Sequence, residues 1–178
     1  MPPPSTAYVE LPIVKESYET RFAHRRITKQ KSHTYTNLIT HNIFSTKDRA
    51  GLINDEIKPE FHTYLGGLVK ELKGKPIKII GMNDHVHILA SLPPTVSTSD
   101  AMRFIKANSS KWVSEKFNKP FEWQKGYGAF SVSRSGMDAV VKYIENQVEH
   151  HKKFDFRTEF LSLLKKYEVD FDENFLWK

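Results

Sequence analysis

The segment Asn83-Asp84-His85-Val86-His87-Ile88-Leu89-Ala90-Ser91 constrains the fold more than any other stretch of the chain. Successive side chains of an extended strand point to opposite faces, so His85 and His87 project from one side. Val86, Ile88 and Ala90 face the other way, which suits a core. Just upstream, Lys75 to Met82 carries Ile77, Ile79 and Ile80 and reads as a second strand. A tight turn at Met82-Asn83-Asp84 joins the two into a β-hairpin, with the histidine pair on an interior strand. Two imidazoles held in parallel on a rigid strand form a preformed pair of metal ligands. They equally fit a polar strand face whose histidines are satisfied by neighbouring groups.

The remaining pattern places this hairpin in a larger unit. From Thr34 to Phe44, Tyr35, Ile39 and Ile43 fall on one face and Leu38 and Phe44 on the other, as expected of a first strand. Asn54 or Asp55 is placed to cap a helix with apolar positions Ile57, Phe61, Leu65, Leu68 and Leu72, closed by Gly74. Pro93-Pro94 ends the histidine strand, and Thr98 or Ser99 opens a helix carrying Met102, Ile105, Trp112 and Val113. Residues 121 to 133 read as a bent strand, in which Gly126 and Gly128 suggest a bulge or a close backbone approach. Helices are expected at about 136–152, capped by Ser133 or Ser135, and near 157–167. The order β-α-β-β-α-β matches a ferredoxin-like (RRM-like) α+β fold, an antiparallel sheet with helices packed on it, followed by a further C-terminal helix.

Composition bounds the chemistry. A chain of 178 residues with 39% hydrophobic and 12% aromatic residues can bury a globular core. It has no cysteine, which excludes disulfides and thiol catalysis. No apolar run reaches the ~18 residues of a membrane span, and Met1-Pro2-Pro3-Pro4-Ser5 lacks the layout of a secretory signal, so a cytoplasmic protein is expected. The net charge of +6 permits nucleic-acid binding without establishing it. Residues 1–31 hold six Lys/Arg against three Glu and no sustained period. They are expected to be a poorly ordered basic extension, either solvated coil or a phosphate-contacting arm, ahead of a domain over 32–178.

The helix after Ser135 carries the second informative pattern. At roughly 100° per residue, Met137, Val140, Val141, Ile144 and Val148 form an apolar stripe. Tyr143 and Gln147, four apart, lie on one line along its flank, with His150 on the same side. Such a tyrosine is either an amphipathic residue at the edge of the core or a group facing a cleft.

Taken together, these segments resemble the single-tyrosine HUH transposases of small bacterial insertion sequences, the IS200-like transposase family. The resemblance rests on His85-Val86-His87 within Asp84-His85-Val86-His87-Ile88-Leu89, on the run Trp123 to Val132, and on Tyr143 with Gln147. Ser32 to Leu38, Phe44 to Arg49 and the ending Leu176-Trp177 also fit. It covers nearly all of residues 32–178 and shows no departure at these four site positions.

The resemblance implies Tyr143 as a nucleophile that cuts single-stranded DNA through a 5′-phosphotyrosine, with a metal ion on His85, His87 and Gln147. The ion implied is Mg²⁺, for which two imidazoles make Mn²⁺ a comfortable substitute. It also implies hairpin-forming DNA ends as substrate and a homodimer whose tyrosine helix completes the partner's histidine site. Lys47, Arg49, Arg103, Lys106, Lys111 and Arg134 are candidate phosphate contacts. The proton acceptor for Tyr143 stays open among the ion, water, Asn146 and His150. A replication-initiator nickase and a hairpin-binding protein without cleavage are the competing readings. Against the first stand the absence of a P-loop or helicase segment and the Tyr143–Gln147 spacing.

Overall fold

The structure is a computed structural model and describes His33 and residues 35–177; the expectations for residues 1–31 lie outside the described residues. The elements follow in the order β1 (Ile39–Ser45), α1 (Lys58–Glu71), β2 (Lys75–Gly81), β3 (His85–Ser91), α2 (Thr98–Phe117), β4 (Gly128–Ser131), α3 (Met137–Glu145), α4 (Gln147–His150), α5 (Phe156–Lys166) and α6 (Glu173–Leu176). The strands form one sheet in the order β2–β3–β1–β4, antiparallel throughout. That order is the ferredoxin-like arrangement read from the sequence. No helix among the described residues is long and apolar enough to cross a membrane.

The hairpin turn is closed by Met82 N–H donating to the His85 carbonyl at 2.8 Å. The strand it feeds, β3, lies between β2 and β1, and every residue from His85 to Ala90 is buried. Each face has its own cover. On the face of Val86 and Ile88, Ile79 pairs with Ile88 and meets Gly66 of α1, while the Trp123 ring bridges Phe44 and Phe61. On the opposite face the register sets Ile43 against His87, Ile80 against His87 and His41 against Leu89. Two apolar clusters cover this second face. One joins Ile43 and Phe130 to Phe156, Phe160, Leu163 and Leu164 of α5; the other joins Ile39, Leu89 and Val132 to Ile144 of α3. Each such buried side chain contributes roughly 1.5–3 kcal/mol. The apolar contacts on either side therefore hold α3 and α5 down over the polar centre between them.

Several boundaries differ from the sequence reading. The first strand begins at Ile39, and Tyr35 and Leu38 are exposed, because pairing with β3 stops at Ser91. Residues 121–133 form a strand only over Gly128–Ser131, with Trp123 in one isolated bridge to Thr46. Between them, the carbonyls of Gln124, Lys125 and Gly126 turn onto the Lys106 ammonium, which takes this stretch out of any ladder.

Gly128 answers to the close approach expected there, since a Cβ would lie 2.6 Å from a ring carbon of Phe160. α1 is closed by Lys73 in the left-handed region (φ 61°), and Gly74 provides close passage beside the Ser91 and Val69 carbonyls. Ser97, one residue before the expected caps, accepts from Asp100 N–H at 3.0 Å and caps α2. The helix expected over 136–152 is interrupted at Asn146 into α3 and α4. Across that break Gln147 turns inward and is buried, and Val148 turns out to solvent.

Candidate functional site

His85 and His87 project from β3 under the cover of α3, α4 and α5, and both are buried. Each has one ring nitrogen engaged and one free. His85 Nδ1 lies 2.7 Å from Asp84 Oδ1; the N–H donates to the carboxylate, which leaves the Nε2 lone pair directed inward. His87 Nδ1 lies 3.0 Å from Nε2 of His41, which shares its sheet face. With His87 as the donor, its Nε2 is likewise a free acceptor.

The second half of the site comes from the C-terminal helices. Tyr143 on α3 donates its hydroxyl to Glu159 Oε1 on α5, and its ring centroid lies 6.3 Å from that of His87 and 6.2 Å from that of His41. Gln147 donates its side-chain amide to the same oxygen at 2.8 Å. The other oxygen, Oε2, stands 3.8 Å from His85 Nε2, 3.7 Å from His87 Nε2 and 3.0 Å from His151 Nε2. His150 Nε2 lies 3.8 Å from Oε1, on the tyrosine side.

Eight buried side-chain N or O atoms lack a hydrogen-bond partner among the described residues. Six of them belong to His85, His87, Gln147, His150, His151 and Glu159. Groups removed from water normally find partners, so this concentration marks a place built around a polar ligand. His85, His87, His151 and Glu159 each offer a ligand atom, all within 4.8 Å of one another, and this donor set fits a divalent metal ion.

Electrostatics agree with that reading. Burial pushes His85 and His87 below the ordinary imidazole value; Asp84 and Glu159 oppose this only in part, and both rings stay neutral as ligands must. Burial alone would raise Glu159. The hydrogen bond from His151, the nearby His87 and the donors Tyr143 and Gln147 outweigh it and hold the carboxyl well below the usual range. Burial would lower His151, but Glu159 draws it up. Burial, reinforced by the Glu159 charge and hydrogen bond, pushes the Tyr143 phenol well above its ordinary value, so it rests as a neutral donor.

The profile of the family described as "Transposase IS200 like" matches residues 34–147, more than half of the chain. The chain belongs to the IS200-like transposase family. Its relatives include the transposases for insertion sequence element IS200 of Salmonella typhimurium and Salmonella typhi. Each is 28% identical over 136 residues, covering 70% of this chain and 86% of the relative. Two solved structures share the fold. One, from Deinococcus radiodurans R1 and assigned as a transposase, has a TM-score of 0.55 at 23% identity, covering 67% of this chain and 98% of its own. The other, a REP-associated tyrosine transposase bound to a REP hairpin, has a TM-score of 0.52 at 13% identity, covering 70% and 74%.

In this IS200-like transposase the structure places the buried His85, His87 and Gln147 and the half-buried Tyr143 around one carboxylate, Glu159. His41, His151 and Glu159 were missed. For Glu159 a signal was present: Phe156, Phe160, Leu163 and Leu164 make the buried stripe of α5, and Glu159 interrupts it. A carboxylate on an apolar stripe needs a partner.

The expected phosphate contacts scatter. Lys47 and Arg49 line a cavity of about 530 Å³ beside Ser45, together with Lys125, Arg157, Trp123 and Trp177, and pair with Glu122 at 2.6 Å and Asp155 at 3.9 Å. Arg103 and Lys111 sit on α2, paired with Asp100 at 2.6 Å and Glu115 at 3.7 Å. Arg134 contacts Met137 Sδ at 3.1 Å. Lys106 turns inward onto three carbonyls, and burial lowers it to about 8.

Proposed function

We propose that this transposase cleaves and rejoins single-stranded DNA at hairpin-bearing ends, with Tyr143 as nucleophile and His85, His87 and Gln147 Oε1 as donors to a divalent ion. The observation that carries the reading is a single carboxylate, Glu159, with one oxygen on the Tyr143 hydroxyl and the other facing the Nε2 atoms of both β3 histidines. The nucleophile and the metal donors of this reading therefore share one centre.

When bound, a divalent ion supplies Lewis-acid stabilisation of the charge that develops on the non-bridging phosphate oxygens. The chain's own residues do the rest. β3 fixes the two imidazoles, and Asp84 and His41 hold their tautomers. Tyr143 is kept protonated by Glu159, with its phenolic hydrogen already directed at a carboxylate. In the reaction its oxygen forms a bond to phosphorus and the bond to the 3′-oxygen breaks, which leaves a 5′-phosphotyrosine and a 3′-hydroxyl. The phosphodiester energy is retained in the link, so rejoining to a second end needs no nucleotide cofactor.

A hairpin DNA partner is supported by family membership and by the REP hairpin bound in one structural relative. A homodimer that exchanges α3 between subunits remains part of the reading. In one chain Tyr143 lies against its own histidines, so exchange requires α3 to leave that position. Mixing His87→Ala with Tyr143→Phe chains tests it: recovered cleavage supports a shared site, and none from properly formed mixed dimers removes it.

The central test uses single-stranded DNA from the gene's flanks with Mg²⁺ or Mn²⁺. The intact protein is expected to form a denaturation-resistant adduct, and Tyr143→Phe is expected to bind the hairpin without one. An adduct formed by Tyr143→Phe would overturn the assignment. Hairpin binding with no adduct from the intact protein would point to a binding module.

A further inference from the structure

The sequence resemblance supplies ligands from β3 and the tyrosine helix, and the family match ends at Gln147. His151 and Glu159 lie beyond it, yet they occupy the same centre. We infer that Glu159 Oε2 and His151 Nε2 join His85 and His87 as ligands of the ion. Three imidazoles and a carboxylate then make this chain bind a first-row transition cation, Mn²⁺ or Zn²⁺, ahead of Mg²⁺. The inference rests on the reading of His85 and His87 as metal donors.

Geometry is the first support. With metal–donor bonds of about 2.1 Å, neighbouring donors lie about 3.0 Å apart in a six-coordinate shell and about 3.4 Å apart in a four-coordinate one, and the six-coordinate shell keeps positions for Gln147 Oε1 and a phosphate oxygen. The separations of 3.0, 3.7 and 3.8 Å from Glu159 Oε2 to the three Nε2 atoms lie close to that range. Unmet bonding capacity is the second. All four atoms are buried; the Nε2 atoms of His85 and His87 have no hydrogen-bond partner, and His151 Nε2 and Glu159 Oε2 have only each other, at 3.0 Å.

Charge is the third. Glu159 is buried, and among the described residues its ion-pairing neighbours are the histidines at 85, 87, 150 and 151, with no Lys or Arg. A buried carboxylate facing mostly neutral rings carries a large desolvation cost that a dication offsets. Donor chemistry then selects the metal. Mg²⁺ favours octahedral oxygen ligands and holds its water, whereas imidazole suits Zn²⁺, and Mn²⁺ accepts a mixed carboxylate and imidazole set more readily than Mg²⁺ does.

The arrangement also gives Glu159 a positioning role. It would hold the ion through Oε2 and the Tyr143 hydroxyl through Oε1, so one side chain sets the distance between the ion and the nucleophile.

Calorimetric titration of the full chain without DNA, using MnCl₂, ZnCl₂ and MgCl₂ in turn, tests this. One Mn²⁺ or Zn²⁺ per chain is expected to bind at least tenfold tighter than Mg²⁺. Glu159→Gln and His151→Ala are each expected to weaken Mn²⁺ at least tenfold. Wild-type Mn²⁺ affinity in both variants overturns the inference, as does equal or tighter Mg²⁺ binding by the native protein. Should either variant fail to fold, electron spin-echo spectroscopy of the Mn²⁺-loaded native chain counts coordinated imidazoles: three support the inference and two overturn it. His85→Ala serves the underlying reading separately. If it keeps full Mn²⁺ affinity while Glu159→Gln loses it, the β3 histidines are not the donors; if it alone loses affinity, only the inference about α5 and His151 falls.

Discussion

Replacing His41 by Leu makes the polar floor of the site measurable. His41 is buried beside His87; burial lowers it from 6.5 to about 4, with Glu159 opposing and Lys166 assisting. The folded chain therefore resists protonating it over a range where the unfolded chain protonates freely. The stability this neutral ring contributes is fully present above pH 6.5 and is lost as the pH falls towards 4. From these two values the native protein should lose about 2 kcal/mol by pH 5 and about 3 kcal/mol by pH 4 through this one residue.

His41→Leu has nothing to titrate there. At pH 7.5 it forfeits the 3.0 Å hydrogen bond to His87, at a cost of about 1 kcal/mol. The stability difference between the two proteins should therefore shrink with falling pH and change sign at about pH 6, below which the variant becomes the more stable. Urea unfolding from pH 7.5 to 4.5, followed by tryptophan fluorescence in the presence of a chelator, reads the difference directly. A gap that stays constant over this range would refute the reasoning.

Gly128→Ala should destabilise the chain by about 1–3 kcal/mol, because its Cβ would meet Phe160 ring carbons at 2.6 and 3.1 Å and Phe130 at 3.2 Å. The expected fall in melting temperature is about 2–4 °C for each kcal/mol in a chain of this size, and an unchanged melting curve would contradict the packing described. Lys106→Met should cost about 1–2 kcal/mol and speed amide exchange around residues 124–126, since it removes the ammonium that three carbonyls share. The same variant should leave the salt dependence of DNA binding unchanged. A slope reduced by about 0.7 with stability intact would show instead that Lys106 contacts phosphate.

Sequence alone determined the elements whose signal is local. Alternation identified β3 and put His85 and His87 on one face, and helical spacing put Tyr143 and Gln147 on one flank. The order of strands and helices gave the ferredoxin-like sheet, and the joint motifs gave the family. Local periodicity could not say what stands opposite a face. His41 alternates with Ile39 and Ile43 like any inward strand residue, and only the β1–β3 register, Ile43 against His87, turns it into the partner of a candidate ligand. Val148 fits the apolar stripe, yet the break at Asn146 turns it outward and sends Gln147 inward. Glu159 shows the limit best. Its position on the stripe of α5 marked an anomaly, but the partners that explain it come from β3, α3 and the segment after α4. The docking of α5 against Ile43 and Phe130 brings them within reach, and that apolar packing depends on side chains distant in the chain.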